Sequence, residues 1–127
     1  MTWIWQAPLT AAVLHIAEEF VFPGGFAEWD RRYRSKIGRS ITRRFHIFIN
    51  AGLLALCLEV ALTGMAGVHV NSSVPHQFAP ALWLAVAALL FSNAIFHLAG
   101  TLSTGDISPG LWTGIFLCAP LFLYCEL

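Results

Sequence analysis

Four apolar segments, each about as long as a membrane-spanning helix, alternate with shorter polar linkers along the chain. They cover about residues 3–22, 42–66, 78–100 and 109–127. A helix needs roughly 20 apolar residues to cross a bilayer core. Pro23-Gly24-Gly25 ends the first segment, and Ser108-Pro109-Gly110 marks the start of the fourth, where Pro120 is expected to kink the helix. The pattern predicts an all-α protein: an integral membrane antiparallel four-helix bundle, forming one domain over residues 1–127.

The longest linker, residues 23–41, has a helical pattern of its own. Phe26, Trp29, Tyr33 and Ile37 recur at helical spacing, with charged residues between them. An amphipathic helix of this kind lies in a membrane interface, with its aromatic side chains at the level of the headgroups. We therefore expect a short interfacial helix between helices 1 and 2.

Composition and charge agree with a membrane location. The chain is 57% hydrophobic and 11% charged, whereas a soluble domain has about 25% charged residues. All seven basic residues lie between Arg31 and Arg44. The positive-inside rule assigns this linker to the cytoplasm, with both termini on the opposite side of the cell membrane. Anionic lipid headgroups are its expected partners, and no nucleic-acid motif is present.

The cysteines do not indicate a disulfide framework. Cys57, Cys118 and Cys125 are odd in number, lie in apolar segments and show no CxxC spacing. We expect buried free thiols.

Ionisable and amide side chains interrupt three of the apolar segments, where a carboxylate costs roughly 2.5–3.5 kcal/mol. They are His15, Glu18 and Glu19 in the first segment, His46 and Asn50 in the second, and Asn93 and His97 in the third. With a rise of ~1.5 Å per residue, all lie within roughly 10 Å of the predicted cytoplasmic ends. The sequence therefore predicts one polar layer shared by three helices.

Imidazole and carboxylate groups from facing helices are typical metal ligands of helix bundles. The HxxE spacing favours His15, Glu18 and Glu19 as ligands, completed by His97 or, less strongly, by His46, with Zn or Fe as the ion. A metal-free site remains an alternative, in which Glu18 or Glu19 is the general base and the histidines carry protons. Asn93 would orient a ligand or donate to a developing oxyanion.

The segment His15-Ile16-Ala17-Glu18-Glu19 resembles the name-giving motif of the HXXEE family, small bacterial membrane proteins of unknown function. Pro23, Trp29, the segment from Asn93 to His97, and Ser108-Pro109-Gly110 are also similar to that family's pattern. The resemblance implies a suspected enzymatic activity without an agreed reaction, and functional roles for His15, Glu18, Glu19, Asn93 and His97. His46 and Asn50 are not part of this resemblance. They are candidate site residues only because of their predicted depth in the membrane.

These observations favour a membrane enzyme, with or without a metal, that acts on a hydrophobic or lipid-like small molecule. Two other functions remain open. The same side chains can relay protons in a small-molecule binding or transport module, or the polar layer can merely fasten the helices of a structural subunit together.

Overall fold

The structure, a computed structural model, describes residues 3–34, 42–65 and 76–125, and its regular elements there are all helical. Helix α1 spans Trp3–Val21, α2 Gly25–Arg34, α3 Arg43–Met65 and α4 Ala79–Thr104, and a 3₁₀ turn, His76–Phe78, precedes α4. Helix α5 consists of Leu111–Thr113, a π-helical turn at Gly114–Cys118, and Ala119–Cys125. The all-α prediction is confirmed. Helix α4 continues past its predicted end at residue 100, and Gly105 terminates it in the left-handed conformation, with φ 74°.

The π-helical turn of α5 comes directly before Pro120. The N–H of Ala119 donates to the carbonyl oxygen of Gly114, five residues earlier. Proline has no N–H to donate and its ring crowds the preceding turn, and a widened turn is one way a helix accommodates such a disturbance. The disturbance of the helix that was expected at Pro120 is therefore seen as a π-helical turn.

Small residues let the helices approach closely. Helix α1 packs along α3, while α4 packs against α3 and α5. A side chain at Gly64 would overlap the indole of Trp5, and a Cβ at Gly114 would lie 3.1 Å from the Cα of Ala94. Such close contacts are characteristic of helix packing in membranes. The core between the helices includes Ala11, Ala12, Cys57, Val60, Trp83, Val86, Ala87, Leu90, Ala94 and Cys118.

Helix α2 folds back onto the bundle after a turn in which Gly24 and Gly25 have positive φ angles. Phe26 and Trp29 are buried, with 5% and 7% of their surfaces exposed. The helix predicted between helices 1 and 2 therefore exists. These two aromatic residues pack against the other helices, and their position at the level of the headgroups stays a prediction. Lys36, Ile37 and Arg39 lie outside the described residues.

Among the described residues, two helices, α3 and α4, are long and apolar enough to cross a membrane. Only 28% and 33% of their most apolar 18-residue stretches are buried inside the protein. Large apolar side chains such as Phe48, Leu102 and Phe116 face outward with 73%, 76% and 66% exposure.

The described cysteine side chains agree with the expectation of free thiols. Cys57 and Cys118 are free and buried. The side chain of Cys125 falls outside the described part of the chain.

Candidate metal centre

His15 and Glu19, one turn apart on α1, meet His97 of α4 in the interior of the protein. The i, i+4 spacing places the first two on one helix face, and the three residues are 0%, 3% and 0% exposed in chain order. Glu19 Oε1 lies 3.1 Å from His97 Nε2 and 3.6 Å from His15 Nε2. The ligand atoms of the three residues lie within 4.8 Å of one another. We call His15, Glu19 and His97 the metal group.

The two oxygens of Glu19 have different partners. Oε2 accepts hydrogen bonds from His46 Nε2 at 2.8 Å and from Asn50 Nδ2 at 3.0 Å, both on α3. Oε1 faces His15 and His97 instead. Because Oε2 already has two donors, Oε1 is the oxygen left for a cation.

Glu18 belongs to a hydrogen-bonded chain that ends at His15. It accepts from the backbone N–H groups of Trp112 at 3.2 Å and Thr113 at 2.8 Å, at the start of α5, where unpaired N–H groups favour an acceptor. The Thr113 hydroxyl donates its single hydrogen to Glu18 Oε2 at 2.6 Å. Towards His15 Nδ1, 2.8 Å away, the hydroxyl can therefore only accept. Neutral His15 thus carries its hydrogen on Nδ1, and its Nε2 is an acceptor that takes a hydrogen bond from Asn93 Nδ2, 2.7 Å away.

His97 is held in a similar way by the loop between α4 and α5. Its Nδ1 lies 2.8 Å from the hydroxyl of Ser108, which is fully buried and whose N–H donates to Thr101 Oγ1 at 2.9 Å. His97 Nε2 is buried and makes no hydrogen bond within the described residues. This nitrogen lies 3.1 Å from Glu19 Oε1 without forming a well-aligned hydrogen bond, and a metal ion among the three side chains would satisfy both atoms.

Gly110 and Phe26 enclose the imidazoles. Gly110 has a φ of +98°, and a Cβ there would lie 2.8 Å from both His15 Cε1 and His97 Nε2. The ring centroid of Phe26 lies 4.8 Å from that of His46 and 5.4 Å from that of His97. The histidines therefore have little room to turn away from Glu19.

The donor set and its spacing fit a divalent transition metal. With ligand distances of about 2.0–2.2 Å, ligand atoms around a tetrahedral ion are about 3.3–3.6 Å apart. Glu19 Oε1 lies 3.1 and 3.6 Å from the two histidines, and all three ligand atoms lie within 4.8 Å of one another. Two histidines and one carboxylate form the ligand set of catalytic zinc sites and of non-haem iron sites. Metal-ligating histidines commonly donate from their other nitrogen to a nearby acceptor, as His15 does here. Zn or Fe stays a prediction.

Six of the polar residues that the sequence placed at one depth come together in the structure. They are His15, Glu19, His46, Asn50, Asn93 and His97, and Asn93 Nδ2 lies 2.7 Å from His15 Nε2. Glu18 lies outside the metal group. At about 100° per residue, Glu19 is about 40° and Glu18 about 60° from His15, on opposite sides. The two carboxylates therefore face different helices, and Glu19 rather than Glu18 lies beside His15 and His97 in the metal group.

Three contributors were not predicted from the sequence as site residues: Ser108, Gly110 and Thr113. Ser108 and Gly110 carried the signal of a helix boundary and lie in a segment similar to the HXXEE family's pattern, but neither residue was assigned a role in the site. Thr113 carried no signal, because its role depends on how α5 docks against α1, far away in the chain.

Two cavities meet at Glu19. The apolar groove has a volume of about 620 Å³ and is walled mainly by Ile49, Gly52, Leu53, Leu56, Leu89 and Phe96, with Glu19, His46, Asn50 and Asn93 at its polar end. The basic cavity, of about 480 Å³, includes Glu28, Arg31 and Arg43 in its lining. Glu19, Phe26 and His46 line both. A larger cavity of about 910 Å³, between α2 and the α4–α5 loop, contains no residue of the metal group.

Nearly the whole chain matches one family. The model for proteins of unknown function with an HXXEE motif covers residues 5–125. The chain belongs to the HXXEE family. In this HXXEE protein, the first motif glutamate bonds to the start of α5 and the second lies in the metal group. No curated protein and no solved structure matches the chain.

Thr113→Val should weaken zinc binding by about 10–100-fold, because the hydroxyl that fixes His15 is lost. Thr113→Ser keeps the hydroxyl and should stay close to the wild type. The affinity of each detergent-purified HXXEE variant would be measured by competition with a zinc-binding dye. Equal affinity of Thr113→Val and Thr113→Ser would show that the hydroxyl does not orient His15.

Proposed function

We propose that this HXXEE protein is an integral membrane enzyme in which His15, Glu19 and His97 bind one divalent metal ion. Its substrate is a hydrophobic or lipid-like small molecule. The observation that carries the proposal is the convergence of three buried ligand atoms within 4.8 Å. A second observation supports the proposal: in both His15 and His97, a hydroxyl group contacts Nδ1, the ring nitrogen that does not face Glu19.

The outward-facing apolar surface supports a membrane location. In the proposal, α1, α3, α4 and α5 cross the bilayer as an antiparallel four-helix bundle. Their backbone N–H and C=O groups can then be satisfied within helices, as a bilayer core demands. The basic residues of α2 and of the start of α3 mark the cytoplasmic side, and both termini lie on the opposite side. The metal group then lies near the cytoplasmic leaflet.

When bound, Zn or Fe would supply Lewis-acid chemistry to a substrate oxygen. The chain's own residues hold Glu19 in place: His46 and Asn50 donate to Oε2 and leave Oε1 for the ion. In the structure, Asn93 donates to the Nε2 lone pair of His15. A bound ion would take that lone pair, and the Asn93 amide would then be free to orient a substrate group. His46 lines the apolar groove, so its imidazole can exchange a proton with the same substrate group.

The apolar groove supports a lipid-like substrate. Its walls are aliphatic and aromatic side chains of α3 and α4, and its polar atoms lie mainly at the end formed by Glu19, His46 and Asn50. Ligand sites typically combine a mostly apolar cavity with a few convergent polar groups. A molecule from the membrane can therefore place its chain in the groove and its reacting bond beside Glu19.

Metal-free protein in detergent should be stabilised by zinc sulfate. At a free zinc concentration about 100 times the Kd, the expected gain is about 2.7 kcal/mol, seen as a higher thermal unfolding midpoint. His97→Ala should lose this gain, because one of three ligands is missing, whereas His69→Ala, which changes a histidine of the linker between α3 and α4, should keep it. An equal gain in wild type and His97→Ala would place the zinc elsewhere, and no gain in the wild type would contradict a zinc site. Repeating the titration with Fe²⁺ without oxygen tests the second ion.

A proton-coupled binding or transport module is the second candidate function. The observation that favours it is the hydrogen-bonded chain from Glu18 through Thr113 and His15 to Asn93. Alternating access in transporters commonly uses two repeated units, and the sequence shows no internal repeat, so this function requires a dimer. It predicts no stabilisation by zinc or iron and a dimeric native mass in detergent.

A further inference from the structure

We propose that the substrate class of the metal centre is an anionic amphiphile: a molecule with one apolar chain and a phosphate-like head group. Its chain lies in the apolar groove and its head in the basic cavity. The inference deepens the proposed function and rests on it for the reaction, but not for the binding.

The two cavities adjoin each other at three shared lining residues. Glu19, Phe26 and His46 line both the apolar groove and the basic cavity. A molecule that fills both must pass Glu19, whose Oε1 lies 3.1 Å from His97 Nε2 in the metal group. The bond between chain and head group would then lie at the candidate metal centre, which is where a reaction needs it.

The charges of the basic cavity select an anionic head group. Arg31 donates to Glu28 Oε2 at 2.7 Å, so that pair is neutral overall. Arg43, at the first turn of α3, has no ion-pair partner among the described residues. Its guanidinium is therefore the charge available to a phosphate or carboxylate, both of which arginine binds well. Glu19 also lines this cavity, but its oxygens contact His46, Asn50, His15 and His97, and it forms no ion pair with Arg43 in the described part of the chain.

The apolar groove contains one position where its volume can be filled without disturbing the protein. A Cβ at Gly52 would have no atom within 4 Å, and Gly52 lines the groove. Gly52→Leu therefore adds bulk in the space assigned to the chain, and leucine also favours a helix more than glycine does. Ala51→Leu, at the neighbouring exposed position outside that lining, is the matched control.

The test uses metal-free, full-length protein in nanodiscs of phosphatidylcholine, titrated with dodecyl phosphate by calorimetry. Arg43→Gln should weaken binding about fivefold or more, while Arg44→Gln, whose side chain does not line the basic cavity, should bind as the wild type does. Gly52→Leu should weaken binding at least as strongly, and Ala51→Leu should not. Neutral dodecyl maltoside should bind more weakly than dodecyl phosphate to the wild type.

Three results would overturn the inference: equal effects of Arg43→Gln and Arg44→Gln, equal effects of Gly52→Leu and Ala51→Leu, or no preference for the anionic probe. Inorganic phosphate is titrated alongside. If it binds as tightly as dodecyl phosphate, the ligand is a free anion and the chain has no site in the groove. Because no metal is present, loss of zinc binding in the earlier experiment would contradict the proposed function and leave this result unaffected.

Discussion

Replacing Glu19 by alanine should abolish metal binding and lower the free energy of unfolding by about 2–6 kcal/mol. The second effect arises because His46 and Asn50 both donate to Glu19 Oε2, and each buried donor left without an acceptor costs about 1–3 kcal/mol. The first arises because Oε1 is the carboxylate atom nearest to both histidines of the metal group. Zinc titration and thermal unfolding of detergent-purified protein measure the two effects separately.

The neighbouring glutamate is the matched control for this substitution. Glu18→Ala removes the acceptor at the start of α5, which costs about 0.5–2 kcal/mol. It also frees Thr113, so that His15 is held less firmly and zinc affinity falls by about 10–100-fold without being lost. If Glu18→Ala damaged metal binding as much as Glu19→Ala, the assignment of different roles to the two motif glutamates would be wrong.

Gly110→Ala should lower the free energy of unfolding by about 2–5 kcal/mol and weaken metal binding. A non-glycine residue with φ near +98° costs roughly 1–2 kcal/mol, and forcing a methyl group into packed side chains costs about 1–3 kcal/mol more. The methyl group would lie 2.8 Å from atoms of both His15 and His97, so the ligands themselves must move. Thermal unfolding and zinc titration are again the measurements.

Gly105→Ala separates backbone strain from the contact with the histidines. Gly105 also has a left-handed backbone, with φ +74°, but no atom lies within 4 Å of its would-be Cβ. Gly105→Ala should lower the free energy of unfolding by about 1–2 kcal/mol and leave zinc affinity unchanged. Equal zinc affinities for the alanine variants at positions 105 and 110 would mean that Gly110 does not shape the metal group.

Helix positions and the depth of the polar residues could be predicted because both depend on local regularities. Hydrophobic run length indicates where α1, α3 and α4 lie, and the constant rise of a helix converts residue number into depth. His46 and Asn50 illustrate this: no motif singled them out, but their depth did, and both bond to Glu19.

Side-chain roles that depend on packing between distant helices could not be predicted in the same way. At the sequence level Glu18 and Glu19 are equivalent neighbours of His15, and only the docking of α5 assigns Glu18 to Thr113. Phe26 and Trp29 show the same limit. Their amphipathic spacing predicts a helix with an apolar face, but it does not distinguish a face that meets lipid from one that packs on the bundle.

The metal content of the purified protein tests the central claim most directly, since that claim is one ion held by His15, Glu19 and His97. Wild-type protein and His97→Ala would be purified in detergent with Zn and Fe both supplied, and their metals counted by mass spectrometry. We expect about one ion per wild-type chain and essentially none in folded His97→Ala, because the site has three protein ligands. Folded wild-type protein without an ion, or His97→Ala with the full amount, would contradict it.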